Sequence, residues 1–199
     1  MVHGLRLCLL ILYLSLPFSI YGEAVWTNRL FRPSDGLAYQ IVRDIAQTPD
    51  GAIWFATWGG GVSRYDGANW ETYTTQDGLV DNMARALACD TSGGMWMGTA
   101  SGVSYYNGRQ WTSYTTQNTP ALARDSVYSI LILSNGNIWF GMNDGHLYSY
   151  DPSQTEEKQW RLVCEPETFK KMLIRCIVES DDGTIWVGGD GIFHFRKDK

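Results

Sequence analysis

One short motif returns four times along this chain, and nothing else in the sequence limits the fold so strongly. It reads Asp50-Gly51-Ala52-Ile53-Trp54, then Ser92-Gly93-Gly94-Met95-Trp96, Asn135-Gly136-Asn137-Ile138-Trp139 and Asp182-Gly183-Thr184-Ile185-Trp186. The tryptophans stand 42, 43 and 47 residues apart. Nine residues before each lies an apolar side chain: Ile45, Leu87, Ile130 and Ile177. A glycine follows each at a similar offset (Gly61, Gly102, Gly145, Gly191), and then a short apolar-aromatic stretch: 62–65, 103–106, 147–150 and 192–195. The first three units add one more stretch, marked by Trp70 and Tyr73, Trp111 and Tyr114, Trp160 and Leu162.

Each unit therefore reads as four short strands joined by Gly, Asn and Asp turns. Trp, Tyr, Ile and Val suit half-buried pleated surfaces, and Asx-Gly pairs supply the positive φ of tight hairpins. No helical periodicity competes. A period of about 42 residues with four strands per unit is the mark of a propeller blade. The predicted fold is all-β: four antiparallel, four-stranded β-propeller blades at about 38–76, 80–117, 123–163 and 172–199, as a partial propeller or a small closed one. The last unit stops after its third strand. Phe31 precedes Asp35-Gly36-Leu37 as Tyr73 precedes Asp77-Gly78-Leu79, so residues 25–34 are expected to be an orphan outer strand. An open arc leaves two apolar blade faces in water. The chain is thus expected to close, to self-associate or to receive missing blades.

The first 24 residues stand apart. A weakly basic head, the apolar run Leu7 to Leu16, the breaker Pro17 and the small-x-small pattern Gly22-Glu23-Ala24 read as a secretory signal peptide, with an uncleaved anchor as the alternative. Export to the periplasm or cell exterior of a bacterium is expected. The formal net charge is −5 and no basic cluster occurs, which argues against nucleic acid and anionic membranes as partners. Cleavage would leave Cys89, Cys164 and Cys176, an odd count without a CxxC, so no zinc or redox motif and no cofactor is expected. Cys164 and Cys176 fall on an outer and an inner strand and are expected to stay unbonded to each other.

The run from Asp50 to Gly67, Asp-Gly-Ala-Ile-Trp-Phe-Ala-Thr-Trp-Gly-Gly-Gly-Val-Ser-Arg-Tyr-Asp-Gly, resembles the two-component regulator propeller repeat. Asp77-Gly-Leu-Val-Asp-Asn82 resembles that family's linker between blades. The resemblance is strong in units one and two. It weakens in unit three, with Thr119-Pro120-Ala121-Leu122 at the linker, and further in unit four, with Phe169-Lys170-Lys171-Met172. It implies a periplasmic sensor of the kind carried by hybrid histidine kinases, often responding to carbohydrate. No kinase or receiver sequence is present, so regulation is implied by analogy alone. Streptogramin lyase propellers carry a similar Asp-Gly-x-Ile-Trp-Phe stretch and supply an enzymatic alternative, glycan-active enzymes included. A truncated piece of a longer sensor kinase is a third reading. The WD-repeat family fits less well, for want of its Gly-His and Trp-Asp pairs.

Trp54, Trp96, Trp139 and Trp186 share one repeat position and are expected to pack between blades; Trp70, Trp111 and Trp160 are structural too. Trp58 has no aromatic counterpart, since Ala100 and Asn143 hold its place. It lies in a loop on the rim shared with the linkers, where it stacks on a ligand face or folds onto its own loop. Arg43, Arg85 and Arg175 occupy another repeat position, with Tyr128 in unit three. They are expected near the entrance of the central channel, holding a ligand carboxylate, sulfate or phosphate, or else paired with Asp44 or Asp125. Gln40, Asn82 and Asp125 form a second equivalent set, suited to ligand hydroxyls or to capping the linker. Together these residues suit an acidic or sulfated sugar. No catalytic constellation is visible. His146 with Asp144 and Asn143 comes nearest, and Asn143-Asp144-Gly145 reads as a turn. Asp181-Asp182-Gly183 is likewise a hairpin turn and lacks the other ligands of a calcium loop.

Overall fold

A computed structural model describes residues 27–196. The expected signal peptide lies outside the described residues. The chain divides into two units, Met1–Leu30 and Phe31–Lys199. Of the first, residues 27–30 are described; they are exposed and carry no regular secondary structure.

The second unit holds four antiparallel sheets among the described residues. Blade 1 comprises β1 (Val42–Gln47), β2 (Ile53–Thr57), β3 (Val62–Tyr65) and β4 (Trp70–Tyr73). Blade 2 comprises β5 (Ala84–Cys89), β6 (Met95–Thr99), β7 (Val103–Tyr106) and β8 (Trp111–Tyr114). Blade 3 comprises β9 (Val127–Ile132), β10 (Ile138–Met142), β11 (Leu147–Tyr150) and β12 (Trp160–Cys164). Blade 4 comprises β13 (Cys176–Glu179), β14 (Ile185–Gly188) and β15 (Ile192–Phe195). Strands pair in chain order within each blade, and the inner strands β1, β5, β9 and β13 follow one another across an open arc.

The Asx-Gly turns form as their chemistry demands. Gly51, Gly93, Gly136 and Gly183 sit at φ between 78° and 88°, a conformation that L side chains avoid. The Asp50 and Asp182 carboxylates accept the amides two residues on, Ala52 and Thr184, at 3.1 and 3.0 Å. The long third unit is also accounted for. Its third-to-fourth-strand connection carries a short helix, α1 (Glu156–Gln159), absent from the equivalent turns at 66–69 and 107–110.

The core is three apolar clusters, one between each pair of successive blades. Trp54, Val62, Leu87, Met95 and Met97 join blades 1 and 2; Trp96, Val103, Val127, Phe140 and Trp160 join blades 2 and 3; Leu133, Leu147, Phe169, Ile177 and Val187 join blades 3 and 4. Trp54 and Trp96 are each 3% exposed, as expected of packing residues. Trp186, at the same repeat position, is 44% exposed, since no further blade among the described residues covers its face. Ile45, 59% exposed, shows the matching open face on blade 1.

The outer strand expected over residues 25–34 is not seen among the described residues. Residues 27–32 form no strand, and Pro33–Asp35 is a 3-10 turn. Residues 36–38 do behave as a blade linker. The Ala38 amide donates to Ser63 Oγ at 2.8 Å, as the Val80 amide donates to Ser104 Oγ at 2.9 Å. A Cβ on Gly36 would meet Trp70 at 2.6 Å, and one on Gly78 would meet Trp111 at 2.7 Å. Cys89, Cys164 and Cys176 are all free thiols.

Candidate functional site

The inner strands do more than line the arc. In the β1–β2 pairing Val42 faces Thr57 and Asp44 faces Ala56, so Arg43 is an extra, bulged residue. Ala84 faces Thr99 and Ala86 faces Gly98, which leaves Arg85 in the same state. Val127 faces Met142 and Ser129 faces Gly141, which leaves Tyr128. On blade 4 the Arg175 amide donates to the Gly188 carbonyl at 2.8 Å, although Gly188 already pairs with Cys176. A bulge turns its extra side chain away from the regular alternation of the strand. Repeated at one position on blades 1 to 3, it sends Arg43, Arg85 and Tyr128 into a common cavity of about 250 Å³, which Arg175 of blade 4 lines too, with Asp44, Ser129 and Cys176.

Trp58 belongs to this cavity's mouth. Its loop is tied to the next linker, since the Gly59 and Gly61 amides donate to the Asn82 carbonyl at 3.2 and 2.8 Å, and Trp58 forms a β-bridge with Met83. The half-buried indole lies 4.9 Å from the Arg43 guanidinium and 5.5 Å from that of Arg85. Arg85 also lies 4.3 Å from the Tyr128 ring. The result is an alternating ladder, Arg43–Trp58–Arg85–Tyr128, whose cations are attracted by ring faces. Arg85 further donates to Ser126 Oγ and to Met83 Sδ, while its buried Nε has no partner.

The carboxylates expected to neutralise these arginines are engaged elsewhere. Asp44 accepts the Leu87 and Ile45 amides, both at 2.8 Å, and thereby ties blade 1 to blade 2. Asp125 accepts the Thr116 amide at 2.6 Å and its hydroxyl at 2.8 Å. Among the described residues no ion pair reaches Arg43, Arg85 or Arg175. Burial draws the Arg85 guanidinium below its ordinary pKa, and Arg43 pushes the same way against Tyr128 and Asp81. Burial also raises the Asp44 carboxyl, although the amides of Leu87 and Ile45 oppose the shift.

The second set divides. Asn82 Oδ1 accepts the Thr75 amide at 2.8 Å, so Asn82 and Asp125 both cap the preceding linker. Gln40 is exposed on the first linker. His146 proves more than a turn residue. It is 9% exposed, its Nδ1 is 2.9 Å from Asp144 Oδ1, and its ring stacks flat on Tyr148. Its Nε2 lies 4.0 Å from Glu165, and Arg124 holds the other Asp144 oxygen at 2.8 Å. Burial opposes ionisation of Asp144, but hydrogen bonds from His146 and then Arg124 hold its carboxyl below the usual range. Among the described residues no group of His, Cys, Asp and Glu is arranged to hold a metal. The bulges had a faint signal in the sequence, a polar residue that breaks alternation at one repeat position. The Trp58 stack had none, and the His146–Asp144 pair showed only as neighbours in sequence.

Segments 36–59, 121–144 and 168–191 match the family described as two component regulator propeller. Unit one is matched as expected, but so are units three and four, and unit two, expected to resemble the repeat strongly, is not. Unit two carries Gly94-Met95 where the motif otherwise places a β-branched residue after its turn, yet its blade is built like the others. No curated protein matches the chain. Among solved structures, the extracellular domain of a hybrid two component system from B. thetaiotaomicron shares 22% identity at a TM-score of 0.72, covering 86% of this chain and 24% of that one. PorZ, a surface component of the type-IX secretion system of Porphyromonas gingivalis, shares 20% at 0.59, covering 80% and 25%. Virginiamycin B lyase from Staphylococcus aureus shares 18% at 0.58, covering 81% and 58%. The chain spans about a quarter of the sensor domains it resembles, and these likenesses speak to the fold. Among the described residues no helix is long and apolar enough to cross a membrane.

Proposed function

We propose that this chain, three of whose four blades match the two component regulator propeller repeat, is an exported ligand-binding module of the sensor type, responsive to carbohydrate, that receives its ligand at the channel mouth. The observation that carries this reading is the repeated inner-strand bulge. It places side chains with unused bonding capacity on one rim of a rigid scaffold, beside the indole of Trp58. Recognition commonly resides in variable side chains on loops held by such a scaffold. Trp58 offers an apolar face to a sugar ring, and Gln40 an exposed amide to its hydroxyls. Neither belongs to a core cluster. Asn82 and Asp125 act behind them by fixing the linkers.

The test is a glycan array followed by calorimetric titration, repeated with Trp58→Ala. Loss of affinity with a stability loss of no more than about 1 kcal/mol supports the mouth as the site. A ligand whose affinity ignores Trp58→Ala, Gln40→Ala and Arg85→Ala overturns it. The His146–Asp144 pair favours a second reading, a propeller enzyme of the lyase kind. That pair is packed inward on Tyr148, which favours a structural latch between blade 3 and the following linker.

A further inference from the structure

Like charges that converge without a carboxylate partner repel, so they call for an explanation even where, as here, Arg43 and Arg175 are exposed and Arg85 is half-buried. Three guanidinium groups from three different blades share one cavity here. Its one carboxylate, Asp44, spends its oxygens on the backbone amides of Ile45 and Leu87. Arg43 and Arg85 face the same indole, and their mutual repulsion is offset by aromatic rings and by the charge of Asp81, which forms no ion pair with either. Stacking on a ring leaves the five N–H donors of a guanidinium at its edge, the geometry that receives carboxylate, sulfate or phosphate oxygens. Arg85 is the best prepared, since Ser126 and the two rings hold it while its Nε lacks an acceptor. Arg43 and Arg85 stand on strands, and Arg175, one residue before β13, is tied to Gly188 by its amide, so little ordering is left to be done on binding.

We propose that the cavity of Arg43, Arg85 and Arg175 is a binding site for an oxyanion group, borne by the ligand of the channel mouth. This rests on the binding reading above and adds the charge class of the ligand. The volume supports a substituent over a whole molecule. About 250 Å³ falls below the roughly 300–1,000 Å³ of pockets that enclose a complete small ligand. A sulfate ester, a phosphate ester or a uronic carboxylate would enter the cavity while its sugar ring stays outside, against Trp58. Tyr128 replaces arginine on the third blade and contributes a ring wall and a hydroxyl there. Asp44 offsets the charge of Arg43 on the blade 1 side of the cavity, so the anion seats toward Arg85 and Arg175.

The experiment is calorimetric titration of the whole chain with sodium sulfate, sodium phosphate, a sulfated disaccharide, a uronic disaccharide and a neutral parent disaccharide, at matched ionic strength. The variants are Arg85→Gln, Arg175→Gln and, as an equal charge change on an exposed turn elsewhere, Arg109→Gln. The expected result is affinity for a charged disaccharide at least about tenfold above the neutral one, lost on Arg85→Gln or Arg175→Gln and kept by Arg109→Gln. Arg175 is exposed, so its variant remains informative if Arg85→Gln fails to fold. Binding of inorganic sulfate or phosphate with the same variant pattern, and no gain from the sugar, supports the oxyanion site and identifies a free ion as its occupant. Equal affinity for charged and neutral disaccharides overturns the oxyanion site and leaves the binding module standing. Absence of any binding overturns both.

Discussion

Arginine meets tryptophan twice in blade 1, at opposite ends of its sheet. At the turn end, Arg64 lies 6.0 Å from the Trp54 ring, and its two terminal nitrogens reach Asp50 at 2.7 Å and Glu71 at 3.2 Å. At the channel end, Arg43 and Arg85 lie over Trp58, and no carboxylate reaches either. The chemistry of the parts is the same, and the outcomes differ. Arg64 sits in regular alternation on β3, directly across from Glu71 on β4, so the sheet delivers its partner by register. Arg43 and Arg85 sit on bulges, out of register with any neighbour, so the sheet delivers nothing. A satisfied arginine–aromatic cluster belongs to the fold. An unsatisfied one at a similar distance from its ring is available to something else.

Tryptophan deletions give the sharpest break in this comparison. Trp54→Ala and Trp96→Ala each remove a large side chain that is 3% exposed, and each is expected to cost about 3–5 kcal/mol, as buried aromatic truncations do. Trp58→Ala removes a half-buried ring that contributes mainly cation–π contacts, and about 1 kcal/mol is expected. Thermal and urea unfolding of the three variants measures both. A Trp96→Ala loss no larger than that of Trp58→Ala would mean that the blade interfaces are wrongly drawn.

The arginines themselves differ by less. Arg64→Ala dissolves an exposed two-carboxylate network and is expected to cost about 0.5–1 kcal/mol, falling as salt rises. Arg43→Ala removes a like charge from beside Arg85 and loses no ion pair. Its stability is expected to stay within about 0.5 kcal/mol of the parent. Unfolding at low and high ionic strength separates the two. A salt-sensitive loss at Arg43 equal to that at Arg64 would reveal an anionic partner for Arg43 within the fold.

Much of this fold is legible in the sequence alone. The Trp54-type motif and its turns set the fifteen described strands, because Asx-Gly pairs and alternating aromatics act through neighbours in sequence. Which side chains share a repeat position is legible for the same reason. Where Arg43 and Arg85 point is not, since a bulge is a property of two strands and shows only in their register. The engagement of Asp44 is equally hidden, because the Leu87 amide it accepts lies 43 residues away. The exposure of Trp186 contradicts its repeat position, since burial there depends on a neighbour that the motif cannot supply. The strand expected over 25–34 is likewise not seen among the described residues, although its spacing to Asp35 is right, because strand pairing depends on contacts that spacing does not carry.

The smallest expected effect is also the most diagnostic, because two aspartates at the two ends should respond to acid with opposite signs. The Asp50 carboxyl is held down to about 2 by the hydroxyl of Thr48 and then by Arg64, below an ordinary value of 3.8. A depressed folded-state pKa supplies stability that is present above the unfolded value and lost as pH falls through the folded one. Asp50→Asn should therefore differ from the parent above pH 3.8 and converge on it near pH 2. The Asp44 carboxyl is shifted upward, by burial first. A raised folded-state pKa favours the protonated form, so its contribution is present below the unfolded value and lost as pH rises through the folded one. The parent should thus gain on Asp44→Asn as pH falls through that region, while it loses its margin over Asp50→Asn. Melting temperatures of the three chains from pH 2 to pH 6 test both signs in one series. Parallel curves for the two variants would show that Asp44 is held ionised by a channel arginine after all, and one of the three cavity arginines would then be paired within the fold.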